Sequence, residues 1–527
     1  MSHSTSANIQ GHRWRLVGLS LVGLCCCVFA AEAKAPASRL NRPKFLASLK
    51  ESQAEFAGKL ETIAKSCDEQ KLKLEADEIR QLAKPLKPDV LQGENLPRQV
   101  QLDIPKDLPE AEKAWRQRLR TLQTEYAEKL FAKAKTALDA REISLAYDLV
   151  REVARHNPDH RFARKLLGYV RFGNEWVTVY AEKMLRKKYV LTEKFGWLRA
   201  DQVERYDAGE RFYNAEWITS QKEAELRRDF AHAWVVQTDH YKIHTNHSLE
   251  MGVELGRHLE DFHRIFFQTF AGFLSSPEQL KKLFTGGAAG GTTVEPFVVH
   301  YYRTKKEYVD RLKPLLNQNI EATSGLYLSG RRDMPQERIA HFFHNTDATR
   351  EERLATMFHE ATHQLFAEAY TTNQQIGVES DFWVIEAIAC YMESFQRQGE
   401  TFSLGNPQYI RFQNAQHRLL NDNYFVPLQQ LCGKGMQNFQ NDPSISKNYS
   451  QGAGLAHFFM HYDDGAYRDG FITYLSDIYS KNPNVRLKPR TLPQLTEVSF
   501  EKLDQQYRGY ITELDTSRNL APAQAGR

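Results

Sequence analysis

One short segment, Met357–Phe366, carries residue types that could perform metal chemistry: His359, Glu360 and His363, in the order H-E-x-x-H. Apolar residues recur around them at helical intervals, which predicts a helix, and side chains four residues apart share one face of a helix. Two imidazoles arranged in this way can reach one zinc ion at about 2.0–2.1 Å. Glu360 lies beside the first ligand and can accept a proton from a water molecule that the ion makes labile. The segment therefore predicts metal-assisted hydrolysis, with Glu360 as the general base.

A catalytic zinc ion needs a third protein ligand and an open fourth position. Glu386 lies 23 residues beyond His363, on a second predicted helix whose small alanines allow close packing. Glu393 follows two turns later on the same face and could accept the free ring N–H of a ligand histidine. Asp381 and Glu379 are rival carboxylates for the third position, and the neighbours of Glu386 favour Glu386 over both.

These residues resemble the gluzincin branch of the zinc metallopeptidases, in which a glutamate ligand in a W-x-x-E-x-x-A-x-Y-like helix follows H-E-x-x-H. Trp383, Glu386, Ala389 and Tyr391 fit that helix. The chain looks most similar to the secreted bacterial proteins of the peptidase MA-like family, over about residues 234–514. The resemblance implies an α+β, zincin-like (thermolysin-like) peptidase domain. In such a domain a mixed sheet packs on the active-site helix, and a cleft separates it from a helical lobe.

The same resemblance implies a zinc-dependent peptidase in which His359, His363 and Glu386 hold the Zn²⁺ ion. A metzincin would have glycine at position 366 and histidine at position 369, so Phe366 and Ala369 exclude that class. The gluzincin aminopeptidases carry a G-x-M-E-N segment whose glutamate grips the substrate amine. No such segment precedes H-E-x-x-H in this chain, which favours an endopeptidase.

Gluzincin aminopeptidases also place a tyrosine in a Y-x-x-G-A-like segment after the glutamate helix, and Tyr449-Ser-Gln-Gly-Ala stands at a similar point. The resemblance implies that the Tyr449 hydroxyl donates a hydrogen bond to the oxyanion of the transition state. Tyr449 is expected just before a helix predicted over Gln451–His461. With 23 tyrosines in the chain, a tyrosine that only packs is the alternative. Gly325–Ser329 is the predicted edge strand, to which a substrate backbone could pair.

Three more histidines, His240, His244 and His247, lie on or just after a predicted strand and raise the hypothesis of a second metal site. A polar strand face explains them as well. The remaining pairs, His341 with His344 and His457 with His461, are interpreted as ordinary strand or helix residues.

The elements that must position these residues follow from hydrophobic periodicity. The predicted strands of this part are Trp234–Thr245, Phe297–Arg303, Gly325–Ser329 and Ile339–His344. The predicted helices are Ser248–Phe270 and Lys305–Leu312. Beyond Ala348 the chain is mostly helical. Strands that precede helices indicate an α+β class.

The length of 527 residues is too great for one core and predicts two or three domains. The predicted parts are a signal peptide (1–33), a helical region (34–171), a small aromatic strand and turn region (172–230), a zincin-like peptidase domain (231–515) and a disordered tail (516–527). Within the helical region, Tyr126–Leu138 and Ile143–His156 predict a tetratricopeptide-like hairpin. A plain helical hairpin fits equally, because a stable array needs several units.

The N-terminus has the layout of a secretory signal peptide. Arg13 and Arg15 precede the apolar run Leu16–Ala31, and Ala31-Glu32-Ala33 is an A-x-A cleavage pattern. Cleavage after Ala33 predicts a secreted or periplasmic protein in which no membrane span remains, since the run is short for a span. An uncleaved anchor is the alternative.

The charge balance points to no nucleic-acid partner, because 70 basic against 66 acidic residues leave a net charge of only +4. The expected partner is a peptide or protein substrate, and the helical N-terminal region is a candidate surface for a second protein. After cleavage, Cys67, Cys390 and Cys432 remain, which are too few for a disulfide framework.

A rival hypothesis is a non-catalytic secreted scaffold that binds its partner through the helical N-terminal region and uses the zincin fold as a platform. The intact set of His359, Glu360, His363 and Glu386 argues against it, since loss of catalysis would be expected to leave a substitution. A third hypothesis is a peptidase that is active only when it is docked through the N-terminal region.

Overall fold

The computed structural model describes residues 40–84, 91–94, 96–287, 295–316, 319–329, 338–369, 376–399 and 401–515. The predicted signal peptide and the predicted disordered tail therefore lie outside the described residues. Among the described residues, no helix has both the length and the apolar character needed to cross a membrane.

The N-terminal region consists of two helical hairpins packed side by side, with an aromatic stack of Phe56 on Tyr126 (ring centroids 3.9 Å apart) between them. Its elements are α1 (Arg42–Glu69), α2 (Lys73–Leu82), β1 (Leu91–Glu94), α3 (Glu110–Asp139), α4 (Ile143–His156) and α5 (Arg161–Leu166). The predicted hairpin is thus the second half of α3 with α4. The chain reverses between them at Arg141, which has a left-handed backbone (φ 68°).

Three short units follow, each a two-stranded hairpin with a helix behind it. They are β2 (Tyr169–Phe172), β3 (Glu175–Thr178) and α6 (Val179–Arg186); β4 (Tyr189–Thr192), β5 (Gly196–Arg199) and α7 (Val203–Asp207); β6 (Glu210–Tyr213), β7 (Glu216–Thr219) and α8 (Ser220–Leu226). Trp176, Trp197 and Trp217 each hold the second position of their strand. The region of aromatic strands and turns is therefore a threefold repeat.

A five-stranded mixed sheet carries the next part of the chain, in the order β11-β12-β10-β9-β8. Its strands and their helices are β8 (Trp234–Gln237), β9 (Tyr241–Thr245), α9 (Leu249–Thr269), α10 (Ala271–Leu274), α11 (Pro277–Phe284), β10 (Phe297–Tyr302), α12 (Lys305–Leu312), β11 (Gly325–Ser329) and β12 (Arg338–Phe343). Strands β9, β10 and β12 are parallel, while the edge strands β8 and β11 are antiparallel to their neighbours. The single strand predicted over Trp234–Thr245 is wrong, because a turn at Thr238–His240 divides it into a hairpin.

The rest of the chain is a helical lobe, apart from a small hairpin to which β1 adds a third strand. Its elements are α13 (Arg350–Ala369), α14 (Phe382–Met392), β13 (Gln396–Gln398), β14 (Thr401–Leu404), α15 (Ile410–Leu420), α16 (Leu428–Cys432), α17 (Met436–Gln440), α18 (Ile445–Gly465), α19 (Arg468–Ile478), α20 (Pro483–Arg486), α21 (Leu492–Thr496) and α22 (Phe500–Glu513). The mixture of helices and sheet confirms the predicted α+β class.

Two large hydrophobic clusters hold these parts together. One lies between the sheet and the lobe helices. The other belongs to the N-terminal hairpins but also includes Ala271, Leu280 and Phe284 from α10 and α11. A partly buried ion pair between Asp148 and Arg468 (2.8 Å) also joins the N-terminal hairpins to the lobe, through α4 and α19. The domain boundary predicted near residue 230 stays a prediction, but apolar packing continues across it.

Candidate metal centre

Helices α13 and α14 bring the predicted ligands together. His359 and His363 are one turn apart on α13, and Glu386 projects from α14, all of whose residues are buried. Helix α13 begins with a capping box, in which Thr349 N–H donates to Glu352 Oε2 (2.8 Å) and Glu352 N–H donates to Thr349 Oγ1 (3.2 Å). The helix start is thereby fixed two and a half turns before the first histidine.

The spacing of the three ligand atoms fits one metal ion. His359 Nε2 lies 3.4 Å and His363 Nε2 lies 3.8 Å from Glu386 Oε2. Two ligand atoms that are each about 2.1 Å from a tetrahedral ion lie about 3.4 Å apart. The residues therefore form a group that could hold a metal ion, as their types and spacing predict.

Glu393 is hydrogen-bonded to the first histidine. Its Oε1 accepts from His359 Nδ1 at 2.8 Å, which turns Nε2 toward Glu386. Arg411 holds the same carboxylate through Nε and Nη2, both at 2.8 Å, and Tyr409 Oη donates to it at 3.0 Å. Burial acts to raise the pKa of Glu393, but His359 and Arg411 outweigh it and lower the pKa to about 2.

Three partners of this centre were not identified from the sequence. Arg411 and Tyr409 follow Glu393 by 18 and 16 residues, in and just before α15, and no local pattern links them to it. Cys390 is buried on α14 and could itself form a metal-binding group with His359 and Glu393. Burial acts to lower the pKa of His359, but Cys390 and the two glutamates around it raise that pKa well above its usual value.

Glu360 lies beside the ligands and faces the edge of the sheet. Its Oε2 accepts a hydrogen bond from the backbone N–H of Tyr327 at 2.9 Å. Tyr327 is the central residue of β11, which is the predicted edge strand Gly325–Ser329 without change of boundary. The candidate base and the free edge of the sheet therefore open onto the same space.

Tyr449 also reaches the centre, but from within a helix. Helix α18 begins at Ile445, so the expectation that Tyr449 precedes the helix is wrong. No proline or glycine occupies 445–451, which allows the helix to start earlier than the small residues around Gly452 suggest. A Cβ at Gly452 would lie 3.4 Å from Ala387 of α14, and this close approach brings the Tyr449 phenol to Glu386. Burial and the Glu386 charge raise the pKa of Tyr449 far above its usual value.

The rival carboxylates do not join the group. Asp381 precedes α14 with a left-handed backbone (φ 61°), and its carboxylate accepts from Tyr474 and Ser380 instead. Among the described residues, neither Asp381 nor Glu379 belongs to a group that could hold a metal ion.

The second predicted histidine site is arranged differently from the hypothesis. His240 groups with Glu260 and His263 of α9, whereas the rings of His244 and His247 neighbour those of His300 and His344. His240 Nδ1 is hydrogen-bonded to Glu260 Oε2 (2.7 Å), and the His240 ring stacks on the His263 ring with centroids 3.7 Å apart. The ligand atoms of these three residues lie within 4.8 Å of one another, so the hydrogen-bonded aromatic stack is also a group that could hold a metal ion.

Comparison with known proteins adds no relative: no protein-family model matches the sequence, and no curated protein is significantly similar to it.

Proposed function

We propose that this protein is a zinc-dependent peptidase of the gluzincin type, with an endopeptidase favoured. The observation that carries the proposal is the convergence of His359, His363 and Glu386 at a spacing suited to one ion, with Glu360 adjacent but outside the ligand set. Two histidines and one glutamate are the donor set of catalytic zinc in peptidases.

The surrounding architecture supports a zincin-like fold for the domain. A mixed sheet with an antiparallel edge strand packs on the helix that carries both histidines, and a helical lobe supplies the glutamate. Because Tyr327 donates its N–H to Glu360 and not to β12, the outer edge of β11 is turned toward the centre. An extended peptide could pair with that edge and bring a peptide bond to the ligands.

The roles of the side chains follow from their positions. A bound zinc ion supplies a Lewis acid that polarises the scissile carbonyl and makes water acidic. Glu360 accepts the proton of the attacking water and delivers it to the leaving amine. Tyr449, whose raised pKa keeps the phenol protonated, donates a hydrogen bond to the oxyanion that develops on the carbonyl. Glu393 keeps His359 aimed at the metal position.

The sequence of residues 1–33 adds a location to the proposal: a secreted or periplasmic peptidase, whose substrates are peptides or proteins outside the cytoplasm. The described residues do not include this segment.

The direct test uses a chain of residues 34–527. It should contain about one zinc per molecule and cleave members of a mixed peptide library. A chelator should abolish cleavage, and added zinc should restore it. His363→Gln should lose both zinc and cleavage, whereas His417→Gln, at an exposed histidine of α15, should lose neither. A folded chain that cleaves peptides without metal, or a zinc-loaded chain that cleaves none of them, would refute the proposal.

A further inference from the structure

A second group of metal-ligating side chains lies where the turn between β8 and β9 meets helix α9. Glu260 and His263 are three residues apart on α9, so their side chains share one face of the helix, and His240 ends the turn. One nitrogen of each histidine and one oxygen of the glutamate all lie within 4.8 Å of one another. The fold therefore brings two imidazoles and a carboxylate together from two separate elements.

The Glu260 carboxylate is held in place by the turn. Its Oε1 accepts hydrogen bonds from Thr238 Oγ1 and from the backbone N–H of His240, both at 2.6 Å. Its Oε2 accepts from His240 Nδ1 at 2.7 Å. Hydrogen bonds to the other oxygen are the usual means by which a ligating carboxylate is oriented. Oε2 therefore faces the imidazole, and a divalent cation can replace the proton that the two groups share.

The His263 ring is buried and rigidly packed. Only 5% of the residue is exposed, and the ring stacks on those of His240 and Phe267, with centroids 3.7 and 4.0 Å away. Its Nε2 is buried and has no hydrogen-bond partner among the described residues. A buried polar atom normally has a partner in the protein, a water or a ligand. The ring is thus a pre-positioned donor whose hydrogen-bonding capacity the described residues do not use.

His240 is the residue that must adjust to an ion. Ligand atoms that are about 2.1 Å from one tetrahedral zinc ion lie about 3.4 Å apart, which is closer than the 4.8 Å limit of this group. The His240 side chain is 44% exposed, so it can tilt out of its stack on His263 while the two residues of α9 keep their positions. Rotation of one surface side chain therefore completes the group.

We propose that His240, Glu260 and His263 bind a second zinc ion, which ties the β8–β9 hairpin to α9. Two imidazoles and one carboxylate favour zinc over Mg²⁺ and Ca²⁺, which prefer oxygen ligands alone. Because His240 lies at the surface, this ion exchanges with solvent. The purified chain therefore keeps about one zinc, at the first centre, and the second binds on titration. The inference does not depend on the proposed peptidase function.

Titration of the chain of residues 34–527 with zinc, in competition with a zinc indicator, tests the site. The wild-type chain that already holds one zinc should bind one more, and excess Mg²⁺ should not displace it. His240→Gln and His263→Gln should each weaken this second binding by at least about 100-fold, since even a partner behind a ligand contributes about 10–100-fold. His240→Gln alters an exposed side chain and keeps the test valid if the buried substitution unfolds the protein.

His244→Gln is the matched control. His244 lies four residues beyond His240 on β9, and it is outside the groups of described residues that could hold a metal ion. Its substitution should leave the second zinc bound as tightly as in wild type. If wild type binds no further zinc, if His240→Gln binds it as tightly as wild type, or if His244→Gln alone loses it, the proposal is overturned.

Thermal unfolding separates this site from the first centre. At free zinc of about 100 times the second dissociation constant, the wild-type midpoint should rise by about 2–3 °C above that of the chain with one zinc. His240→Gln should show no such rise, and an equal rise in this variant overturns the proposal. A chain whose only zinc depends on His240 and His263 but not on His363 supports this site and refutes the peptidase proposal.

Discussion

Replacing Glu393 by glutamine tests how the centre is oriented. The carboxylate accepts from His359 through one oxygen and from Tyr409 through the other, and Arg411 bonds to both oxygens. Glutamine keeps the volume but has only one acceptor oxygen. If that oxygen keeps its hydrogen bond to His359, the NH₂ group of the glutamine faces the guanidinium of Arg411. Both groups are hydrogen-bond donors, so the bond to Arg411 on that side is lost.

Two separate effects should follow. Loss of a carboxylate behind a ligand histidine should weaken zinc binding by about 10–100-fold, equivalent to about 1.4–2.7 kcal/mol. The Arg411 side chain, which is 35% exposed, loses its partner, and this should lower the free energy of unfolding of the metal-free chain by about 1–2 kcal/mol, because solvent partly replaces the lost carboxylate. Glu393→Gln combined with Arg411→Gln should recover part of the stability but none of the zinc affinity, because His359 remains without its acceptor.

The assay is competition for zinc against a chelator of known affinity, with thermal unfolding of the metal-free chain measured in parallel. Asp381→Asn is the matched control, since it alters a buried carboxylate at the start of the same helix but outside the ligand set. Zinc affinity should be unchanged in this control. If Glu393→Gln binds zinc as tightly as wild type, or if Asp381→Asn is the weaker binder, the assignment of these carboxylates is wrong.

Three further predictions concern catalysis, pH and architecture. Tyr449→Phe should lower kcat by about 10²–10³-fold at unchanged zinc content, and an unchanged kcat would reduce Tyr449 to a packing residue. Burial raises the pKa of Asp469 to about 6, so the folded chain holds this proton more tightly than the unfolded chain. The free energy of unfolding should therefore fall by up to about 3 kcal/mol as pH rises from about 4 to about 6. Asp469→Asn should remove this pH dependence when the free energy of unfolding is measured by denaturant titration at each pH. A chain that begins at residue 231 exposes Leu280 and Phe284, which pack on the N-terminal hairpins, and should unfold at a lower temperature than residues 34–527; equal midpoints would show that the shared cluster contributes little.

The candidate centre could be predicted because its signals are local. His359 and His363 are one helical turn apart, and the capping box of Thr349 and Glu352 marks where their helix begins. Glu386 is a carboxylate within an otherwise apolar helix, which indicates a functional role. Each of these features is contained within a single element, so periodicity and residue type are sufficient to find it.

The parts that were not predicted depend on contacts between distant elements. Arg411 reaches Glu393 only because α14 and α15 both pack on α18. The turn that divides β8 from β9 is stabilised by Glu260, which accepts from the N–H of His240 across 20 residues. The early start of α18, by contrast, is local, but Gly452 and Gly454 within the predicted stretch obscured it.

The proposed role of Glu360 as the base of a zinc peptidase can be checked by one paired measurement on Glu360→Gln. Zinc content and kcat/KM on a good peptide substrate are determined for the same preparation, with Glu351→Gln as the control. The variant should keep about one zinc per chain and lose about 10²–10⁴-fold in kcat/KM, because the ligands are untouched and the proton acceptor is gone. Retained zinc with undiminished turnover would contradict the account.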